Sequence, residues 1–320
     1  MNSGTQVGLC LLTILPHFLA MGELEPRKEV SHGAIEHDGL KRTFRFVLPT
    51  NTAHGKSLPL VLVLHGGFGT GEKMAKLSGF DILARREGFI VVYPDGVNRH
   101  WNDGRGQHSD ADDVGFIRKL IDHFIGRFGA DPTRVYVTGA SNGGMMALRL
   151  ACELSDKIAA VAPVIASMPE PLIGMCRPTH PMPVLIMNGE QDPLVPWNGG
   201  EVRFQRRKLG KVVSTPNTVS FWVRYNGCQS EPRVEFLPDL SPGDGTRIRV
   251  ERYDGGREGS EVVLYAVEGG GHTWPGGPSY LPKWLIGKTS RDIQASEVIW
   301  DFFKKHSRCI QSSKDSSVER

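Results

Sequence analysis

The chain contains 320 residues, of which 39% are hydrophobic and 23% are charged, and 38 Lys+Arg against 35 Asp+Glu leave a net charge of +3. A charge this small and evenly spread argues against a nucleic-acid-binding or polybasic membrane-binding protein. After the first 22 residues, no apolar run approaches the roughly 20 residues needed to span a bilayer. We therefore expect a globular protein with no nucleic-acid partner and no integral membrane span.

The first 22 residues carry no charged side chain, and residues 7–16 form an apolar stretch. Ala20 and Gly22 place small residues at positions −3 and −1 of a cleavage site before Glu23. This pattern predicts a signal peptide over residues 1–22 and a secreted protein, either extracellular or periplasmic. The alternative is a cytosolic protein with an apolar N-terminal tail.

A β-hairpin is predicted next, because Asp38-Gly39 is a favoured two-residue turn and Phe44 and Phe46 alternate with polar residues. Short β-branched runs then alternate with helical patterns. We predict buried strands over residues 58–64, 90–93, 135–138, 160–165 and 184–187. The clearest helix opens at Asp112-Asp113 and ends before Gly129. This alternation predicts an α/β fold with a mostly parallel central sheet, helices on both faces and ligand sites at the carboxyl ends of the strands.

After residue 200 the pattern changes. It predicts a helix over residues 217–225, strands over residues 233–237, 247–252 and 262–267, and a final helix over residues 293–305. There is no internal repeat and no linker long enough to separate two domains. We expect one domain over residues 23–309, followed by a polar, disordered tail over residues 310–320.

The sequence Gly139-Ala-Ser-Asn-Gly143 follows the predicted strand at residues 135–138 and precedes a helical run over residues 145–152. This context is typical of a nucleophile elbow, in which a sharp turn projects Ser141 at a helix N-terminus. The alternative is a structural glycine-rich turn.

A serine nucleophile needs a base, and the base needs an acid that orients it. In α/β-hydrolases the chain order is Ser, then Asp or Glu, then His. Asp192 follows the strand predicted at residues 184–187, with Glu190 as the alternative acid, and His272 lies on a glycine-rich loop after the last predicted strand. The predicted catalytic triad is Ser141, Asp192 and His272.

An oxyanion needs two preorganised N–H groups. We expect one from Asn142, directly after the nucleophile, and the other from the loop after residues 58–64. In that loop Gly67 is favoured over Phe68, and His65 is expected to fix the loop by packing.

Three tryptophans, Trp101, Trp197 and Trp274, lie on loops beside the predicted catalytic strand ends and are candidate substrate-binding residues, with half-buried scaffolding as the alternative. A metal cluster is a further alternative, formed by His108, Asp110, Asp112 and Asp113. Asp112 and Asp113 are better explained as the first residues of the following helix, so we expect no metal.

Removal of the signal peptide would leave four cysteines: Cys152, Cys176, Cys228 and Cys309. Four cysteines in an exported protein permit two disulfides in three connectivities. Buried free thiols are the alternative.

Several motifs resemble the secreted polyhydroxybutyrate depolymerase/feruloyl esterase family of α/β-hydrolases, over about residues 33–305. They are Leu64-His-Gly-Gly, Ser78-Gly-Phe-Asp81, Glu87-Gly-Phe-Ile-Val-Val-Tyr-Pro-Asp-Gly96, Asp112-Asp-Val-Gly-Phe116, Gly139-Ala-Ser-Asn-Gly-Gly144 and Gly269-Gly-Gly-His-Thr-Trp-Pro-Gly276.

The resemblance implies the same triad, places Trp101 and Trp274 near the substrate, and implies a Cys152–Cys176 disulfide. Similar proteins often carry cysteines after the Trp101-Asn102 pair and after the tyrosine that matches Tyr253. Neither is present here, so Cys228 is expected to lack its usual partner.

The function expected from these features is that of a secreted serine carboxylic-ester hydrolase acting through an acyl-enzyme, without a cofactor. Its substrate would be a feruloyl or acetyl ester of plant polysaccharide, or a hydroxyalkanoate oligomer or polymer. Two alternatives are a serine peptidase of the prolyl-oligopeptidase type and a non-catalytic binding protein on the same fold. The peptidase shares Gly-x-Ser-Asn-Gly-Gly and an acid followed by Val-Pro.

Overall fold

The computed structural model of the protein describes residue 1 and residues 30–49, 57–106 and 110–309. Apart from Met1, the predicted signal peptide lies outside these ranges, as does the predicted polar tail. In the described ranges the strands are β1 (Ser31–His37), β2 (Leu40–Val47), β3 (Leu58–Leu64), β4 (Ile90–Pro94), β5 (Ala130–Ala140), β6 (Ala160–Val164), β7 (Val184–Gly189), β8 (Gly200–Phe204), β9 (Arg207–Val212), β10 (Arg233–Phe236), β11 (Arg247–Tyr253) and β12 (Val262–Glu268).

Ten of these strands form one sheet in the order β1-β2-β4-β3-β5-β6-β7-β12-β11-β10. Neighbours from β4 through to β12 pair in parallel, whereas β1 and β2 at one edge and β11 and β10 at the other pair antiparallel. The predicted mostly parallel sheet is therefore confirmed. β5 begins at Ala130, earlier than predicted, and β8 and β9 form a separate hairpin that the sequence did not indicate.

Helices cover both faces of the sheet. In the described ranges they are α1 (Gly71–Ser78), α2 (Phe80–Glu87), α3 (Asp113–Phe128), α4 (Asn142–Glu153), α5 (Glu170–Ile173), α6 (Thr215–Asn226), α7 (Lys283–Ile286) and α8 (Ala295–Phe303). One buried cluster joins α3, α4 and α6 to alternate strand residues such as Leu60 and Leu62. The other joins α1, α2 and α8 to Val61 and Val63. No helix in the described ranges is both long and apolar enough to cross a membrane.

The carboxyl ends of the parallel strands meet at one edge of the sheet, and the candidate site residues follow them. His65 follows β3, Ser141 follows β5, and Asp192 and His272 lie a few residues beyond the ends of β7 and β12. The buried, continuously apolar strands fix these positions, since both faces of the sheet are covered.

A disulfide joins Cys152, in the last turn of α4, to Cys176, just after α5. This is the pairing that the family resemblance implied. Of the other described cysteines, Cys228 is half-buried and Cys309 is exposed, and both are free thiols. Burial raises the pKa of the Cys228 thiol, which keeps it in its less reactive protonated form.

We expect the variant Cys152→Ala/Cys176→Ala to lose about 3.5 kcal/mol of unfolding free energy, because the bond closes a loop of 24 residues in the unfolded chain. Urea titration of the variant and the wild type gives the difference. Cys309→Ala is the matched control and should leave the midpoint unchanged. A loss below about 1 kcal/mol in the double variant would contradict this expectation.

Candidate active site

The turn between β5 and α4 holds Ser141 in a strained backbone conformation. Its φ of 55° and ψ of −119° lie outside the usual regions, at a cost of about 1–3 kcal/mol for a residue other than glycine. Main-chain hydrogen bonds hold the turn, since the Ser141 N–H donates to the Val164 carbonyl at 3.0 Å and its carbonyl accepts from Met145 at 2.8 Å. A Cβ at Gly143 would stand only 2.5 Å from the Leu64 carbonyl oxygen, so glycine is required. The turn has the geometry expected of a nucleophile elbow.

Asp192 and His272 form a buried hydrogen-bonded pair. The His272 Nδ1 lies 2.7 Å from Asp192 Oδ2, and both side chains are at most 4% exposed. The amides of Leu194 and Val195 donate to the other carboxylate oxygen at 2.8 and 2.9 Å. Since a carboxylate only accepts hydrogen bonds, the ring proton of a neutral His272 lies on Nδ1, and Nε2 is left as the basic nitrogen.

The main chain of His272 is held as firmly as its ring. Its N–H donates to the Ile286 carbonyl at 2.5 Å, and its own carbonyl accepts the Tyr280 hydroxyl at 2.5 Å. Ser141 and His272 both line one cavity of about 410 Å³. The structure therefore brings these two predicted residues to the same cavity, with Asp192 behind the histidine.

Glu190, the alternative acid, has a different partner. Its Oε1 forms an ion pair with Arg249 Nη2 at 2.8 Å, and Arg249 lies on β11, two strands away from β7 in the sheet. A carboxylate engaged by a guanidinium in this way is not the one that orients His272.

The loop after β3 places Gly67 beside Asn142. A Cβ built on Gly67 would lie 3.9 Å from the Asn142 Cβ. Asn142 is the first residue of α4. Its N–H therefore has no acceptor carbonyl within the helix. The Phe68 N–H donates to the Arg99 carbonyl at 2.9 Å. This hydrogen bond removes Phe68 as a donor and favours Gly67 among the two candidates.

His65 ties this loop to the next one. Its Nε2 accepts the Gly96 N–H at 2.9 Å, and its Nδ1 donates to the Gly66 carbonyl at 2.8 Å. Only the neutral ring can do both. Burial lowers the pKa of His65 to about 4. His65 therefore fixes the loop through hydrogen bonds, where the sequence led us to expect packing.

The titration of His65 predicts a stability that depends on pH. Between its ordinary pKa of 6.5 and about 4, the unfolded chain binds a proton that the folded protein does not. The free energy of unfolding therefore falls as the pH drops through this window, by about 3 kcal/mol when complete. Urea titrations at pH 7, 5.5 and 4 should show this fall.

His65→Gln should lose this part of the pH dependence, whatever its overall stability. The control His32→Gln, at an exposed position on β1, should retain it. Equal slopes for His65→Gln and the wild type would contradict the assignment.

The side chain of Asn142 has a role that sequence reasoning missed. Its Oδ1 accepts the Trp101 N–H at 2.8 Å, and its Nδ2 donates to Asp103 Oδ2 at 2.7 Å. Asp103 is in turn paired with Arg105 at 2.6 Å, and Arg105 Nη1 donates to the Leu209 carbonyl of β9 at 2.6 Å. This chain of polar contacts fixes the residue after the nucleophile. A polar residue at position 142 was the only signal in the sequence.

Among the described residues, the wall of the cavity includes none of the three candidate tryptophans. Trp101 is 1% exposed and donates through Nε1 to the His65 carbonyl at 2.9 Å, while buried Trp274 donates to Ser296 Oγ at 3.3 Å. Trp197 is half-buried and packs against the core. Their contacts support the loops that carry the site rather than forming its inner surface.

Two of the three carboxylates considered for a metal cluster, Asp112 and Asp113, have other partners. Asp112 caps α3 by accepting the Gly115 N–H at 2.9 Å, which lowers the pKa of Asp112. Asp113 pairs with buried Arg42 at 2.6 Å. His108 lies outside the described residues. Within those residues no group of three His, Cys, Asp or Glu side chains is arranged to hold a metal ion.

The chain is similar to known proteins over most of its length. A family profile described as "Esterase PHB depolymerase" matches residues 43–167. The chain is 37% identical over 275 residues to the putative esterase NocK of Nocardia uniformis subsp. tsuyamanensis, covering 82% of this chain and 79% of that relative. It is 32% identical over 230 residues to feruloyl esterase B of Piromyces equi, covering 70% of this chain but only 41% of that longer relative.

The acetyl xylan esterase from Aspergillus awamori has a similar fold. The two structures share a TM-score of 0.56 at 17% sequence identity, over 86% of this chain and 99% of the other. At this identity the likeness shows the α/β-hydrolase fold alone. Because the match to NocK extends over most of both chains and the profile spans the elbow, the chain belongs to the polyhydroxybutyrate depolymerase/feruloyl esterase family and is a carboxylic ester hydrolase.

Proposed function

We propose that the protein is a secreted serine hydrolase of carboxylic esters that uses Ser141, His272 and Asp192 as a triad and forms an acyl-enzyme. The observation that carries the proposal is the buried 2.7 Å hydrogen bond between Asp192 and His272, on the same cavity as Ser141. It leaves His272 Nε2 as the base on the cavity side of the pair.

In this mechanism, His272 Nε2 takes the hydroxyl proton of Ser141 as its Oγ attacks the ester carbonyl. The N–H groups of Asn142 and Gly67 stabilise the tetrahedral oxyanion. The protonated His272 then gives its proton to the departing alcohol, which leaves an acyl-enzyme on Ser141. In the second half of the reaction, His272 takes a proton from water as the water attacks the acyl carbonyl, and it returns a proton to Ser141 as the acid leaves. Asp192 stabilises the imidazolium in both halves of the reaction. No step needs a cofactor.

The cavity and the relatives support a substrate class. Apolar side chains form much of the wall: Phe68, Met74, Leu77, Ile165, Leu194, Val202, Phe204, Leu209 and Leu281. A cavity of about 410 Å³ suits an aryl or short acyl group. Relatives named as feruloyl esterase and a similar fold in an acetyl xylan esterase support feruloyl or acetyl esters, and the matched family profile supports hydroxyalkanoate oligomers.

Secretion is supported by the uncharged, apolar N-terminal sequence and by the Cys152–Cys176 disulfide. Disulfides persist in oxidising compartments and are rare in reducing ones. The mass of the exported protein checks this part of the proposal, and it should correspond to a chain that begins at Glu23.

The test of the activity is release of 4-nitrophenol from acetate, butyrate and octanoate esters, beside cleavage of methyl ferulate. We expect turnover that depends on Ser141, with the chain-length and ferulate preferences identifying the acyl group. A folded sample that cleaves none of these esters but cleaves a prolyl peptide would favour the peptidase instead. A folded sample that cleaves neither would favour a binding protein.

A further inference from the structure

The cavity that holds Ser141 and His272 is lined by cations and by no carboxylate, among the residues that the structure describes. The cationic residues of its lining are Lys73, Arg99, Arg105 and Arg203. A cleft with one sign of charge and low-dielectric walls concentrates its field and attracts ligands of the opposite sign. The apolar character of the rest of the wall makes this potential stronger, because fewer dipoles screen it.

Arg105 differs from the other three cations. It is buried and paired with Asp103 at 2.6 Å, so its charge is compensated. The Arg99 guanidinium donates to the main-chain carbonyls of Phe68 and Gly69, which are neutral and leave its charge in place. In the described part of the chain, neither Lys73, Arg99 nor Arg203 forms an ion pair, and the neighbouring Glu72 pairs instead with Arg45 and Lys76.

Arg203 lies on the β8–β9 hairpin, which is fixed over the cavity. Val202 and Val212 are buried in a cluster with Met145 of α4. The Phe204 ring lies 5.8 Å from the ring of Phe68, and both residues line the cavity. Arg105 donates to the Leu209 carbonyl. Because the hairpin is held at these points, binding of a ligand at Arg203 costs little conformational entropy of the main chain.

We propose that Lys73, Arg99 and Arg203 form a subsite for a carboxylate carried by the ester substrate, so that anionic esters are cleaved in preference to neutral esters of the same shape. This inference rests on the proposed cleavage of esters at Ser141. The carboxylate can belong to the acyl chain or to the alcohol, as in a uronic acid. In both cases the same chemical group faces these cations.

The test compares each anionic ester with its neutral amide isostere. On the acyl side the pairs are the 4-nitrophenyl hydrogen esters of adipate and suberate against the corresponding ω-amides, with spontaneous hydrolysis subtracted. On the alcohol side the pair is 3-acetoxybenzoate against 3-acetoxybenzamide. We expect kcat/KM to favour the anion about tenfold on at least one side at low ionic strength, and the preference to shrink in 0.5 M NaCl.

The variant Lys73→Gln/Arg203→Gln should lose most of this preference while cleaving the neutral amides at the wild-type rate. The matched control is Arg206→Gln/Arg207→Gln, which also removes two cations, both from the β8–β9 hairpin, neither of which lines the cavity. It should keep the preference, since the change of net charge is the same in both double variants.

The outcomes separate the two proposals. Preference on the acyl side or on the alcohol side supports the subsite and identifies which part of the substrate carries the carboxylate. Equal rates for anion and amide, or a preference that Lys73→Gln/Arg203→Gln leaves intact, overturn the subsite while neutral-ester turnover still supports the proposed function. Absence of turnover on the neutral esters would overturn the proposed function itself.

Discussion

Replacing Ser141 with alanine is expected to lower kcat for ester cleavage by about 10⁶-fold, because the variant has no Oγ to form the acyl-enzyme. KM should change little, since the cavity walls and the candidate oxyanion donors stay in place. The strained φ of 55° is a property of the turn, and alanine tolerates it no worse than serine does. The measurement is steady-state release of 4-nitrophenol by the wild type and the variant at equal concentration.

Two controls accompany this comparison. The thermal midpoint of Ser141→Ala should match that of the wild type, which excludes unfolding as the cause of lost activity. A fluorophosphonate should label the wild type once per chain and leave the variant unlabelled, because it reacts with an activated serine. Residual turnover above about 10⁻³ of the wild-type rate would contradict the assignment of Ser141 as the nucleophile.

Asp192→Asn is expected to lower kcat by about 10⁴-fold with the structure intact. The asparagine oxygen would keep the hydrogen bonds from Leu194 and Val195, so its amide nitrogen would face His272 Nδ1. Because the amide nitrogen of the asparagine is a donor, Nδ1 of His272 would have to accept, and the ring would carry its proton on Nε2. Nε2 would then no longer accept the proton of Ser141. Steady-state kinetics across pH 5–9 measures the loss.

Glu190→Gln is the matched control for this prediction. It removes the charge of the alternative acid, which pairs with Arg249 rather than with His272. We expect it to lower kcat by less than about tenfold. The reverse ranking, with Glu190→Gln inactive and Asp192→Asn active, would show that the acid had been assigned to the wrong carboxylate.

Most of the sheet and the order of the candidate triad could be predicted because both depend on local patterns. Three of the strands, β3, β4 and β7, are almost wholly buried. Each therefore appears in the sequence as a continuous apolar run with a glycine or polar residue at its end. The elbow around Ser141 needs Gly143 because the chain after β3 passes too close for a side chain. Such requirements leave a signature in the sequence even without knowledge of the fold.

The β8–β9 hairpin left no such signature. Its sequence contains Arg203, Arg206, Arg207 and two lysines, so it resembles a polar loop. Only a few of its residues, among them Val202 and Val212, are buried, and they pack against Met145, which is far away in the sequence. Strand formation there depends on that tertiary contact more than on the local pattern.

The placement of the tryptophans and of the Asn142 side chain was also beyond reach of the sequence. Trp101 follows β4 and lies under the loop after β3, where it bonds the His65 carbonyl. The sequence pattern of a tryptophan beside a strand end is the same whether its side chain faces a cavity or lies behind one. The distinction depends on how the loop from β4 to α3 folds over the elbow, which involves residues about 40 positions apart.

The tie between Arg105 and the hairpin has a consequence for redesign of the enzyme. Arg105 bonds the main-chain carbonyl of Leu209 rather than any side chain of β9. The side chains at positions 203, 204 and 209 are therefore exchangeable without removing the contact that connects the hairpin to Asp103 and Asn142. Libraries that vary these three positions would sample new substrate preferences while the hydrogen bond between Arg105 and the hairpin is retained.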